Sequence, residues 1–127
     1  MLDLKIDHVH IHSSDVRKTI SYYERMFDGR LVLDTMVGDL HLIRMQIGDG
    51  YVNIFERPPA VPDPKPENSP IHHFAFRVKN FEAAVEELRK KGAEFAVGPK
   101  TIGGKTKLVY VRGPDNVLIE VLETTAY

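Results

Sequence analysis

Three histidines, His8, His10 and His12, stand at alternate positions near the start of the chain. An extended backbone sends alternate side chains to one face, so as a strand this segment sets three imidazoles side by side. A second segment of the same character, His73-Phe74-Ala75-Phe76-Arg77, follows at an offset of 65 residues (73 − 8). A carboxylate belongs to the same pattern. Ile119-Glu120-Val121-Leu122-Glu123 answers Val52-Asn53-Ile54-Phe55-Glu56 at an offset of 67 (120 − 53). His8 is thus equivalent to His73, and Asn53 to Glu120. If the two halves turn these positions toward each other, two imidazoles and a carboxylate face one cavity. By donor type that is a site for one divalent ion, Zn, Ni, Co, Mn or Fe(II). Open coordination positions would accept water or substrate oxygens. The alternative is a polar cup that binds an organic ligand without metal.

The elements that must position these residues repeat as well. A strand over Lys5–His12 leads to Ser13-Ser14-Asp15, which suits a helix N-cap. Val16, Ile20, Tyr23 and Phe27 then form one apolar helical stripe, stopped at Asp28-Gly29. Strands are predicted at Arg30–Met36, Leu40–Ile47 and Tyr51–Glu56, with turns at Gly38-Asp39 and Gly48-Asp49-Gly50. Residues 58–70 hold six of the eight prolines and form a stiff linker. After it come a strand over Ile71–Val78, an Asn80 cap, a stripe of Phe81, Ala84, Val85 and Leu88, and a stop at Gly92. Strands at about Ala93–Val97, Lys105–Val111 and Val117–Glu123 complete the second half. Each half reads βαβββ, as a tandem duplication would. The expected fold is α+β: one domain over 1–127, with module 1 at about 4–57 and module 2 at about 71–124. Their sheets would form a half-open barrel around a metal cup. Loops 35–40 and 98–105 would shape the pocket.

Composition narrows the partners. With 127 residues, a net charge of −1 and no cysteine, the chain offers no basic footprint for nucleic acid and no thiolate chemistry. No apolar run approaches membrane-spanning length, and Met1-Leu2-Asp3-Leu4-Lys5 has no signal core. A cytoplasmic protein with a small-molecule substrate is expected.

Other candidates carry two readings each. His10 and His12 are proton carriers or substrate anchors, or polar lining. Arg77, four residues past His73, binds a substrate anion or closes a rim salt bridge. His41 and Arg44 differ in parity, so at most one of them lines the cup. His72 is expected to face away from His73, and Glu56 and Glu123 to be solvated strand ends.

Ile6-Asp7-His8-Val9, Ser21-Tyr22-Tyr23-Glu24-Arg25-Met26-Phe27, His72-His73-Phe74-Ala75-Phe76-Arg77-Val78 and Gly113-Pro114-Asp115-Asn116-Val117-Leu118-Ile119-Glu120 together resemble the vicinal oxygen chelate superfamily. Glyoxalase I, methylmalonyl-CoA epimerase, extradiol dioxygenases, and fosfomycin- and bleomycin-resistance proteins belong to it. The resemblance covers nearly the whole chain. It implies metal ligation at His8, His73, Glu120 and the Asn53 position. Glyoxalase-like members usually carry Glu or Gln where Asn53 stands. A neutral and shorter amide is a weaker donor and no base, so Asn53 is read as a weak ligand or a substrate contact.

Gly98-Pro99 with Gly103-Gly104 looks like the glyoxalase and epimerase branch. Extradiol enzymes usually carry a histidine where Ile102, Gly103 and Gly104 stand. The resemblance therefore implies a metal-dependent lyase or isomerase that stabilises an enolate or enediolate. Glu120 would be the base, with His10 or His12 as partner acid. Arg77, His41, Tyr110 and Asn53 would contact substrate. The alternatives are an Fe(II) or Mn(II) extradiol-type dioxygenase and a bleomycin-resistance-like binding protein. A homodimer is expected.

Overall fold

The computed structural model describes residue 3 and residues 6–58 and 71–126, apart from the side chain of Leu40. The predicted strand start at Lys5 and most of the proline-rich linker lie outside the described residues. The chain divides into two compact units, Met1–Pro62 and Asp63–Tyr127.

The first unit runs β1(Val9–Ser13), α1(Val16–Phe27), β2(Arg30–Val37), β3(Leu40–Ile47) and β4(Gly50–Glu56). Its four strands form an open sheet in the order β1-β4-β3-β2. β1 is parallel to β4, and the other pairs are antiparallel. Alternation sorts the side chains of β1: Ile11 and Ser13 are buried, while His10 and His12 are exposed. Ile11, Ile43, Met45, Val52 and Ile54 form the buried face, which meets Ile20, Tyr23 and Met26 of α1. Burying a side chain of this size contributes about 1.5–3 kcal/mol.

The helix face is rotated slightly from the predicted stripe. Thr19 and Met26 are buried, and Val16 and Phe27 only half-buried. Thr19 turns inward because its Oγ1 lies 2.7 Å from the buried Ser13 Oγ. That hydroxyl also accepts the Asp15 N–H at 3.2 Å. Asp15 caps the helix by accepting from the Lys18 N–H. At the far end Asp28 is left-handed. A Cβ on Gly29 would come within 2.9 Å of the Tyr23 carbonyl oxygen, so the chain needs glycine to leave the helix there.

The second unit repeats the plan with β5(Phe74–Arg77), α2(Phe81–Lys90), β6(Glu94–Ile102), β7(Thr106–Arg112) and β8(Leu118–Thr124), in the order β5-β8-β7-β6. β5 is parallel to β8. Asn80 caps α2 by accepting from the Ala83 N–H at 3.0 Å. Phe81, Val85 and Leu88 are its buried stripe, and Ala84 is half-buried. The α+β class and the two βαβββ modules are as the sequence indicates.

Several boundaries differ. β1 starts only at Val9, so His8 precedes the strand and does not share a strand face with His10 and His12. The expected pocket loop at 35–40 is strand through Val37, with a two-residue turn before β3. β5 is shorter than Ile71–Val78, leaving both of its histidines ahead of the strand. The expected pocket loop at 98–105 is instead strand as far as Ile102, with a turn only at 103–105. Pro99 is tolerated because β6 is an edge strand, and register shifts between Val97 and Lys100 absorb the missing donor. Gly98 lies in the left-handed region, and a Cβ there would meet the Leu108 carbonyl oxygen at 2.9 Å.

Candidate active site

In the first unit the face opposite α1 is polar. Register aligns His10 with Asn53, and Asn53 with Arg44, across three neighbouring strands. Asn53 is only 4% exposed, and its amide oxygen accepts from Arg44 Nε at 2.8 Å. Arg44 Nη2 donates to Asp7 Oδ2 at 2.7 Å, and the guanidinium lies 5.1 Å from the centre of the Tyr51 ring. His8, just ahead of β1, places Nδ1 at 2.7 Å from the same Asp7 oxygen. With Asp7 ionised and His8 neutral, Nδ1–H is the donor and Nε2 keeps its lone pair. His8 and then Arg44 hold the Asp7 carboxyl below its ordinary range. The His10 ring stacks on Phe55 at 4.2 Å and meets His12 edge-on at 5.2 Å. Desolvation, reinforced by the charges of His12 and His8, lowers the His10 pKa and favours its neutral form.

In the second unit the equivalent register runs Ala75, Glu120, Tyr110. Glu120 is 8% exposed. His73 Nε2 lies 2.9 Å from Glu120 Oε2, and His73 Nδ1 lies 2.8 Å from His72 Nδ1. A consistent proton pattern has His73 Nε2–H donating to the carboxylate and His72 Nδ1–H donating to His73 Nδ1. The Tyr110 ring meets His73 edge-on at 5.0 Å and His72 at 5.8 Å. Burial, then the Glu120 charge, raises the Tyr110 phenol above its ordinary value. It stays protonated at neutral pH and can donate.

Several expectations need correction. His72 does not turn away from His73: both precede β5, so strand alternation does not govern them. His41 shares the parity of Ile43 and Met45 and so lies on the α1 side of its sheet. There its Nε2 lies 2.6 Å from Asp34 Oδ1. Of the pair His41 and Arg44, it is Arg44 that joins the polar face. Glu123 is no solvated end, because its Oε1 accepts the Phe81 N–H at 3.2 Å at the start of α2. Its counterpart Glu56 is exposed. Arg77 is exposed on the face of Ala75. Asp7 is the residue that sequence reasoning passes over, and it weighs Arg44 only as an alternative to His41. The signal was present: Arg44 is the repeat equivalent of Tyr110, at an offset of 66 (110 − 44).

The donors fit a divalent ion in part. His73 and Glu120 set imidazole nitrogen and carboxylate oxygen side by side around a buried charge. His8 has its ring fixed through Nδ1 by a carboxylate, the arrangement that prepares Nε2 to ligate. Asn53 fits poorly, since its oxygen is bonded to a cation. Within either unit, no three His, Asp or Glu side chains among the described residues gather at one point. Among the described residues, no helix is long and apolar enough to cross a membrane.

Comparison with known proteins agrees with this architecture. The chain is 26% identical over 128 residues to the uncharacterized protein YwkD of Bacillus subtilis (strain 168), covering 97% of this chain and 99% of that one. Among solved structures it is similar to a mutant of the fosfomycin resistance protein FosX of Listeria monocytogenes, complexed with Mn(II) and 1S,2S-dihydroxypropylphosphonic acid. The TM-score is 0.76 at 16% identity, over 98% of this chain and 95% of that one. It is also similar to TnmS3, an antibiotic binding protein from Streptomyces sp. CB03234, with a TM-score of 0.77 at 16% identity over 98% and 99%. The family model described as Glyoxalase/Bleomycin resistance protein/Dioxygenase superfamily matches residues 5–121, and the chain belongs to that superfamily.

Proposed function

We propose that the chain is a metal-dependent lyase or isomerase of the glyoxalase and epimerase kind, acting on a small substrate with two adjacent oxygens. The observation that carries this reading is the His73–Glu120 pair, two ligand-type donors at 2.9 Å with the carboxylate buried. His8, His73 and Glu120 would hold one divalent ion, Zn, Ni, Co, Mn or Fe(II), and the two units would work as one domain, in a homodimer. When bound, the ion supplies Lewis acidity that stabilises the charge left when a proton departs from the carbon beside a carbonyl.

The chain's own residues supply the proton chemistry and the positioning. Glu120 takes the proton, since a carboxylate can ligate through one oxygen and accept through the other. His10 or His12 serves as its acid partner, His10 as the neutral imidazole that its lowered pKa favours, donating through N–H. Tyr110 donates its hydroxyl to a substrate oxygen, and Arg77 and Asn53 make further substrate contacts. To ligate through Nε2, His73 would have to carry its proton on Nδ1, and His72 would have to carry its own on Nε2 so that its Nδ1 could accept.

The test combines metal analysis with proton exchange. Protein purified without an affinity tag should bind Mn(II) in a paramagnetic titration. It should also exchange a substrate α-proton for deuterium without consuming dioxygen, across a panel of 2-oxoaldehyde thiol adducts and acyl-CoA thioesters. Dioxygen uptake with catechols, or no Mn(II) binding at all, would overturn the reading.

The Arg44–Asn53 bond favours a second reading, a ligand-binding protein without metal chemistry. Its cation stands where a further ligand would be. Stability unchanged by chelators, together with tight binding of an intact ligand, would support it.

A further inference from the structure

We infer that Arg44 is an oxyanion-binding residue, and that Asp7 holds its place until an anionic group on the substrate takes over. This rests on the reading that the polar faces receive a small oxygen-rich substrate, and it adds that the substrate carries a compact negative charge.

Four observations support it. Arg44 lies on the polar face of its sheet with His10 and Asn53, not among the apolar side chains under α1. Its Nε is fixed by a neutral amide, Asn53, which sets the plane of the fork without cancelling its charge. The Tyr51 ring, 5.1 Å away, supports the same cation. The only formal charge paired with it among the described residues is Asp7, whose side chain is 67% exposed and lies ahead of β1.

An exposed ion pair of this kind is weak and screened by salt, so a competing anion can displace it. Asp7 has somewhere to go, because the same Oδ2 already accepts from His8 Nδ1. The two bonds to Asn53 and Asp7 use two of the guanidinium's five N–H donors. Displacing Asp7 therefore presents a fork suited to two oxygens of one anion.

The repeat sharpens the point. At matched places the first unit carries Arg44 beside Asn53, and the second carries Tyr110 beside Glu120. One unit thus presents a cation next to a neutral amide, where the other presents a phenol next to a carboxylate. The first arrangement favours an anion and opposes a metal ion at Asn53.

Inorganic phosphate is the probe, titrated into the whole protein by NMR at low ionic strength with EDTA present. The unaltered protein should show saturable binding. Arg44→Gln should weaken it at least about tenfold, as loss of a charge-assisted bidentate contact does. Arg44→Lys should fall between, because the charge remains and the fork is lost. It also serves as the folded comparison if Arg44→Gln does not fold. Asp7→Asn should tighten phosphate binding by freeing the guanidinium. Acetate competing as well as phosphate points to a carboxylate substrate, and phosphate alone to a tetrahedral one; either supports the inference. Equal phosphate binding by the unaltered protein and Arg44→Gln, or no saturable binding by the former, overturns it. A parallel Mn(II) titration without EDTA keeps the two readings apart. Its failure refutes the metal-dependent function and leaves the phosphate result standing.

Discussion

Replacing Asp7 by Ala tests whether a carboxylate orients His8 for ligation. Asp7 Oδ2 lies 2.7 Å from His8 Nδ1 and 2.7 Å from Arg44 Nη2, so the substitution removes an acceptor from two cations or potential cations at once. Its effect on folding should be small. The carboxylate is two-thirds exposed, and pairs this wet are screened by water and salt. The melting temperature should stay close to that of the parent. Its effect on the ion should be much larger. Without the acceptor, His8 loses the tautomer and ring orientation that leave Nε2 free, a change that typically weakens metal affinity about 10–100-fold. Freeing the Arg44 cation acts in the same direction. The assay is a Mn(II) titration read by loss of the free-ion paramagnetic signal, with thermal melts of the same samples. Asp7→Asn should be milder, since its amide oxygen still accepts from Nδ1–H. Unchanged Mn(II) affinity in Asp7→Ala, beside a clear loss in His73→Ala, would refute the reasoning.

Other perturbations separate site from scaffold. Glu120→Gln should cut α-proton exchange by about 100-fold or more, the range set by removing a general base, and deuterium incorporation measures it. Ser13→Ala should cost about 1–3 kcal/mol in denaturant melts, because it strands the buried Thr19 hydroxyl and the Asp15 N–H. Ile54→Ala, at a fully buried position between Ile11 and Ile43, should cost about 2–5 kcal/mol without touching the polar face.

Lys107 holds the Glu82 carboxyl below its ordinary 4.5, and Glu82 holds the Lys107 ammonium above its ordinary 10.5. The lowered acid contributes above 4.5 and loses its contribution as pH falls below it. The raised base contributes below 10.5 and loses its contribution as pH rises past it. The small melting-temperature difference between the parent and Glu82→Gln should therefore be flat in between and shrink at both ends.

The fold was legible because period and punctuation agree. Alternation at Ile11 and Ser13, caps at Asp15 and Asn80, and the repeat offset place the strands and helices nearly where they are found. In the candidate site, residue type alone drew attention to His8, His73 and Glu120, and of these the structure sets His73 beside Glu120. Parity arguments work inside a strand and fail just outside it. That is why His72 was misplaced, two residues ahead of Phe74. They also give a face only once a strand is anchored, so His41 and Arg44 could be separated from each other, but the substrate contact was given to His41 where Arg44 is the one on the polar face. Asp7 escaped notice because its importance lies in one oxygen serving two partners, a fact of geometry that no spacing encodes. Pro99 suggested a loop, because nothing in the sequence says that β6 is an edge where a missing donor costs little.

The order of strands within the second sheet has a consequence for how the chain is made. β8, last of its unit in sequence, sits between β5 and β7, and each of them hydrogen-bonds to it. During synthesis β5 therefore emerges with no neighbour, and waits until Thr124 has left the ribosome before the middle of its sheet exists. The N-terminal unit meets the same delay earlier, at Glu56, and can finish while its sibling is still being translated. Trimming back into the final strand would thus remove the centre of a sheet rather than fray its margin.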